Sequence, residues 1–470
     1  MNYVTENAVK KLLDLEDENV VITDIKVNGF EKIVTIETIL TPHYCPCCDY
    51  KMHSRGIKKR DIRHPILQDG YKLRFILNQR RWRCTNPDCR YDIEEQFNFV
   101  NKNRRTSNAM EWLVVMAYKD MNVSTVSIAE RFNISDTMAH DIFNKYIDMP
   151  RLPLTEAISI DEVFLEMYDE CKYALMIQDF KTGEPIDLLP SRRNKYTEEY
   201  FSNIPTDERF NVKYLISDMY APYIAMVDKF FPNAVSVVDS FHVIQWINNQ
   251  LEQYLRALLS KYRKRDRALE QEMSEAKGRL VRLPKSHEVH LLEHYKWVLL
   301  RNAANINYCS ELKMDRHFHR LMNTYDYEYE FFKIDPCLEK FRDLKELYID
   351  FNNRNEGNPI KANEEIDVII GTYECCGYKI FEDFAELLKG KRQSIINSFI
   401  MVEKICKNKT YMSRLSNGPI ESINRKIKDM KRSGRGWRNF EHFRNRFLYA
   451  NRENPVFNGS PKIKSVVYYK

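Results

Sequence analysis

A chain of 470 residues is too long for one hydrophobic core, so about three domains are expected, and 43% apolar with 12% aromatic content excludes a disordered protein. No apolar run approaches the roughly 18 residues of a membrane span and no basic-then-apolar leader opens the chain, so a cytoplasmic protein without membrane attachment is expected. The net charge of +6 is unevenly spread: fifteen Lys and Arg face six acids between Lys51 and Arg105, and thirteen face three between Lys407 and Arg452, which suits contact with phosphates.

In chain order, the first chemistry lies in the cysteines. HYCPCCDYK and RWRCTNPDCRY supply a C-x-x-C knuckle (Cys45, Cys48) and a C-x4-C knuckle (Cys84, Cys89), each in a turn carrying proline (Pro46, Pro87). Four thiolates in two tight turns suffice for a closed tetrahedral Zn²⁺ site, which binds and does not catalyse. Cys47 either replaces Cys48 or stays free. A zinc ribbon is therefore predicted over about 40–95, within an N-terminal region 1–105. The alternating stretch 71–84 reads as its hairpin arm, presenting Arg74, Arg80, Arg81 and Arg83.

Residues 109–147 read as helical. Within a domain spanning 106–150, a helix Ser127–Phe132, an Asn-Ile turn and a Ser-capped helix Ser135–Tyr146 have the order of a helix-turn-helix. An ordinary helical hairpin gives a similar pattern. Ser135, Thr137, Met138 and His140 are the candidates to touch bases, with Ile142 and Phe143 facing inward. MPRLPLTE (149–156) reads as a linker.

A core follows at 151–243. Strands are predicted at 158–168, 171–180 and 184–189, the last two joined through Thr182 and Gly183. Next come a helix near 195–204, a strand ending at Asp218, a helix over 219–231 and a strand over 234–239. Asp161 interrupts the first apolar run, and Asp218 ends the fourth. Such acids are costly unless paired or bound to a metal. The order of elements is that of an RNase H-like core, and the two acids fall where that core carries its carboxylates. VVDSFHVIQW then places Asp239 and His242 at a strand-to-helix junction, where they are expected to support the reaction by positioning a phosphate or a water.

From about 244 to 406 strand signals fade, and an all-helical insertion is expected, opened by a long amphipathic helix or helix pair over 244–283. The segment 407–455 is expected to complete the core with basic helices, and 456–470 to form a tail. In SNGPIESINRKIKDMKR (416–432), Pro419 suits a first helical turn, and Glu421 supplies a third carboxylate. Arg425, Lys428, Lys431 and Arg432 follow as phosphate contacts. Three carboxylates from two strands and a helix would hold two Mg²⁺ (or Mn²⁺) ions, the arrangement that hydrolyses or transfers phosphodiesters.

The chain is similar to the ISL-three family of bacterial insertion-sequence transposases, DDE enzymes with an N-terminal zinc ribbon. The matching segments are CPCC with CTNPDC, the helical pair, AISIDEVF, YLISDMYAPY, VVDSFHV and SNGPIESINRKIKDMKRSGRGWRNFEHFRNRFLY (416–449). The resemblance implies that Asp161, Asp218 and Glu421 form the catalytic triad with Mg²⁺, and that ribbon and helix-turn-helix recognise terminal inverted repeats in double-stranded DNA. Ser422 stands where many relatives carry Gly. Joining two element ends and a target DNA calls for at least a homodimer. A catalytically silent DNA-binding regulator and a nuclease for RNA or branched DNA are the competing classes. The expected fold is thus a multidomain α+β and α/β chain: zinc ribbon, helix-turn-helix, and an RNase H-like core interrupted by helices.

Overall fold

The computed structural model describes residues 3–13, 15, 17–65, 70–168, 171–406, 409–434 and 436–455. The tail expected at 456–470 lies outside them. The chain divides into two compact units, one of Met1–Arg151, Phe164–Lys172 and Arg425–Lys470, the other of Leu152–Val163 and Tyr173–Asn424.

Helix α1 (Tyr3–Leu12) precedes β1 (Val20–Asn28) and β2 (Glu31–Thr38), an antiparallel pair closed at Asn28 and Glu31. Gly29 turns between them at φ +58, a left-handed conformation that a residue without Cβ adopts readily. β3 (Met52–His64) and β4 (Lys72–Cys84) form a long antiparallel pair from Met52–Cys84 to His64–Leu73. β4 also pairs in parallel with β2 and takes the short β5 (Asp92–Glu94) alongside, giving the order β1-β2-β4-β3. Alternation along β4 buries Leu73, Phe75, Leu77, Trp82 and Cys84. The hairpin arm read from 71–84 is β4, antiparallel to β3, and it is also a central strand of a five-stranded sheet. The alternating VVITDIKVN and EKIVTIET around Asn28-Gly29 carried the signal for the two additional strands.

Three short helices follow: α2 (Asn108–Ala117), α3 (Thr125–Phe132) and α4 (Asp136–Tyr146). Ser107, Ser124 and Ser135 cap them, each accepting the N–H three residues on. Asn133 ends α3 in the left-handed conformation, at φ 52. Ile128, Ala129, Phe132, Ile142 and Phe143 close the core between α3 and α4.

The second sheet comprises β6 (Ala157–Tyr168), β7 (Cys171–Asp179), β8 (Pro185–Leu189), β9 (Tyr214–Ser217) and β10 (Val235–Val238), ordered β10-β9-β6-β7-β8. β9 runs parallel to both β6 and β10, and β7 is antiparallel to β8. α5 (Asn194–Ser202) and α6 (Thr206–Phe210) connect β8 to β9, and α7 (Ala221–Phe230) connects β9 to β10. Ile158, Ile160, Leu175, Ile177 and Leu215 bury one face of the sheet against Phe201, Tyr223, Met226 and Phe230 of these helices.

α8 (Ser240–Lys277) is a single 38-residue helix, ended by Gly278 at φ +60. Val243, Ile247, Leu251, Leu255 and Leu258 form a stripe at i, i+4 and i+3 spacing. Each such side chain contributes about 1.5–3 kcal/mol of burial before entropy is subtracted. The stripe shares a core with α9 (His287–His294), α10 (Trp297–Leu300), α11 (Thr324–Phe332), α12 (Cys337–Arg354), α13 (Pro359–Glu374), α14 (Lys379–Gly390) and α15 (Arg392–Asn397). Contrary to the all-helical insertion expected over 244–406, the stretch also carries strands. β11 (Lys313–Asp315) and β12 (Arg320–Met322) form a ribbon, and β13 (Met401–Cys406) pairs with β14 (Lys409–Arg414). Strands of three residues are too short for periodicity to distinguish from a helix edge.

α16 (Gly418–Ser433) and α17 (Phe440–Asn451) end the described chain. α17 packs beside α2 and α4: Tyr449 donates its hydroxyl to the Val115 carbonyl at 3.1 Å, and His442 Nδ1 lies 2.8 Å from Asn144 Oδ1.

Candidate active site

Strand register brings the acids to one level. Ser159 of β6 pairs with Ile216 of β9, and Asp161 and Asp218 each lie two residues beyond. Val238 of β10 pairs with Ser217, and Asp239 follows it. Asp218 and Asp239 therefore follow the carboxyl ends of β9 and β10, and Asp161 lies at the same level within β6, just past its paired stretch with β9.

Both oxygens of Asp161 are held. Oδ1 accepts the Glu162 N–H at 2.9 Å, and Oδ2 accepts Asn424 Nδ2 at 2.8 Å. Burial pushes the Asp161 carboxyl up to about 7, and the nearby charges of Glu162 and Asp218 add to the rise while His242 opposes it. Asp218 accepts the Tyr220 N–H at 2.9 Å.

Glu421 sits in the first turn of α16, one turn before Asn424, so both project from one helix face. Its Oε1 lies 3.9 Å from His242 Nε2. Asp239 is 4% exposed and accepts two backbone N–H groups. Oδ1 takes that of Phe241 at 3.0 Å, capping α8, and Oδ2 takes that of Asn417 at 2.7 Å. Asp239 thus braces the turn before Glu421. The Asn417 side chain is fully buried, and its Oδ1 and Nδ2 have no partner among the described residues.

The sequence reading missed several residues around this centre. Glu162 is paired to Arg192 at 2.5 Å and accepts the Tyr223 hydroxyl at 3.1 Å. The Arg192 guanidinium lies over the ring of Tyr173, 4.5 Å from its centroid. Acidic Glu162 directly after Asp161 was the available signal; Asn424, Arg192 and Tyr223 left none, being distant in the chain.

Carboxylate oxygens are the donors that Mg²⁺ and Mn²⁺ prefer. Asp161, Asp218 and Glu421 carry them, and a cation would offset both the burial and the neighbouring charges that raise the Asp161 carboxyl. The orphaned amide of buried Asn417 adds unused polar capacity beside the third acid. The donor chemistry suits divalent cations, although among the described residues the ligand atoms of these three acids do not form a group within 4.8 Å of one another.

In the N-terminal unit, the Sγ atoms of Cys45, Cys48, Cys84 and Cys89 all lie within 4.8 Å of one another. Cys47 is exposed and outside the group, so Cys48 is the fourth member. Four sulfurs at this spacing are compatible with one structural Zn²⁺, whose bonds to sulfur are about 2.3 Å. Met52 and Trp82 pack over Cys45 and Cys84.

The residues expected at DNA differ in how they are engaged. Arg80, with a side chain 15% exposed, pairs with Glu37 at 3.1 Å and Glu95 at 3.6 Å, and Arg74 pairs with Glu31 and Asp61. Arg81 and Arg83 are more open and pair with Glu94 at 3.2 Å and Asp92 at 3.7 Å. Ser135 caps α4, Thr137 is exposed, and the His140 ring packs on His442 at 4.0 Å. On α16, Arg425, Lys428 and Arg432 are exposed, whereas half-buried Lys431 donates to the Leu165 carbonyl. Among the described residues no helix is long and apolar enough to cross a membrane.

Residues 158–447 match the model of a family described as transposases, the ISL3 type of DDE transposase. No curated protein matches the chain.

Proposed function

Because the chain belongs to the ISL3 family of DDE transposases, we propose that it binds the terminal inverted repeats of an insertion sequence and carries out metal-dependent DNA cleavage and strand transfer. The observation that carries this reading is the shared level of Asp161 and Asp218 on adjacent parallel strands, with the helix of Glu421 hydrogen-bonded onto Asp161 through Asn424. The sheet order β10-β9-β6-β7-β8 supports assigning it as an RNase H-like core.

In this mechanism Asp161, Asp218 and Glu421 would hold two Mg²⁺ or Mn²⁺ ions. Bound there, such ions supply an acidified water and Lewis-acid stabilisation of phosphoryl oxygens. His242, beside Glu421, is placed to hold a proton or a phosphate oxygen at the site mouth. Asp239 keeps the Asn417 turn, and so Glu421, in place. Arg425, Lys428 and Arg432 neutralise backbone phosphates. The four-cysteine module with its Zn²⁺, and α3–α4 acting as a helix-turn-helix, select the repeat, with exposed Thr137 as a base reader of the second helix. Two copies hold the two element ends.

The test is Mg²⁺-dependent cleavage of a labelled duplex carrying the element's own terminal repeat, comparing wild type with Glu421→Gln. Nicking at the repeat boundary that disappears in the variant, with binding retained, is expected. Tight binding without cleavage by the wild type would instead identify a regulator, and equal cleavage by both would remove Glu421 from the site.

A further inference from the structure

We propose that Asn424 is a positioning residue for the Asp161 carboxylate, acting as the neutral donor that fixes its orientation toward a bound cation. The inference rests on reading Asp161, Asp218 and Glu421 as cation-holding acids. Asn424 is 5% exposed and joins Asp161 across 263 positions of sequence. Its Nδ2 reaches both Asp161 Oδ2 at 2.8 Å and the Glu162 carbonyl at 3.3 Å. That pair of acceptors decides the amide orientation, since a flipped amide would set its oxygen against a carboxylate and a carbonyl.

With Oδ1 tethered by the Glu162 N–H and Oδ2 by Asn424, the Asp161 carboxylate cannot rotate freely. A carboxylate has about four acceptor positions, so two tethers leave room for a cation. The chemical type of the tether matters. A Lys or Arg in this place would also favour the carboxylate, but its charge would repel a divalent ion. An amide orients without that competing charge. Because Asn424 lies one turn after Glu421, one helix both delivers the third acid and aims the first. Ile420 and Ile423, buried on the same helix, fix it in place.

The test is Mn²⁺ binding to the full chain at constant pH, read from the electron paramagnetic resonance of free Mn²⁺. The proteins are wild type, Asn424→Leu, Asp161→Asn and the double variant. Leu keeps the shape of Asn and removes the donor. Asn424→Leu is expected to weaken Mn²⁺ binding about tenfold or more, as loss of a partner orienting a ligand does. In the Asp161→Asn background the same substitution is expected to change nothing, because its effect passes through Asp161. An affinity unchanged by Asn424→Leu, or an equal loss in both backgrounds, would overturn the proposal while leaving the acid site standing. Wild-type Mn²⁺ binding that ignores Asp161→Asn would overturn both. If Asn424→Leu melts early, Asn424→Thr, which stays polar but cannot reach Asp161, is measured on the same scale.

Discussion

Asn417 donates its backbone N–H to Oδ2 of Asp239 at 2.7 Å, joining points 178 residues apart and tying the turn before Glu421 to the start of α8. The other Asp239 oxygen caps that helix through Phe241. One buried carboxylate therefore fixes two helix starts, and the whole stretch between them begins and ends at this contact.

Asp239→Ala should lose both the cap and the brace. Removing a capping side chain costs about 0.5–2 kcal/mol, and the unpaired, buried Asn417 N–H adds about 1–3 kcal/mol. A lowered melting temperature is expected, with cleavage reduced more than repeat binding. Asp239→Asn keeps one acceptor and should fall between. Unchanged melting and cleavage in Asp239→Ala would mean the contact has no structural role.

The four-cysteine group should carry one zinc ion per chain. Cys48→Ser should lose the metal and repeat binding together, because a closed thiolate site contributes directly to folding. Cys47→Ser should keep both, since exposed Cys47 lies outside the group. Zinc content measured by atomic absorption, alongside a binding assay, separates the two positions.

Acid should weaken the N-terminal unit through His64. Burial pushes this imidazole from 6.5 down to about 3, and its Nδ1 lies 2.9 Å from Ser107 Oγ. The unfolded chain takes up the proton near 6.5 while the folded one resists it. Stability is therefore complete above about 6.5 and falls as pH drops toward 3, by about 1.4 kcal/mol per unit, or about 2 kcal/mol by pH 5. His442, pushed down to about 3 also chiefly by burial, adds a loss of the same sign. Melting curves from pH 7.5 to 5 should show a smaller decline in His64→Gln than in wild type.

Lys428 and Lys431 should behave differently despite lying on one helix. Lys428 is exposed, so Lys428→Ala should weaken DNA binding evenly across sequences and reduce the slope of log affinity against log salt by about 0.9. Lys431 donates to the Leu165 carbonyl, so Lys431→Ala should lower the melting temperature and alter the salt slope less. Binding titrations at several salt concentrations, with thermal melts, test both.

Much of the fold was legible locally. Apolar runs marked β6 to β10 and placed Asp161 within a strand and Asp218 just past another; the Asn-Ile turn marked the end of α3 and a serine cap the start of α4; knuckle spacing marked the cysteines. These signals depend on side-chain period and turn chemistry over a few residues, so they are set locally. Which partner each surface met was set by packing. Arg80 resembles its neighbours in sequence, yet its position on a central strand turns it toward Glu37 and Glu95. Cys47 and Cys48 are adjacent, and the direction each takes from the turn selects Cys48. Asn424 reaches Asp161, and Asp239 reaches Asn417, only because strands and helices far apart in the chain close on one another. A local pattern specifies which face of an element is buried, but the identity of the opposing group depends on packing across hundreds of residues, which no short window of sequence encodes.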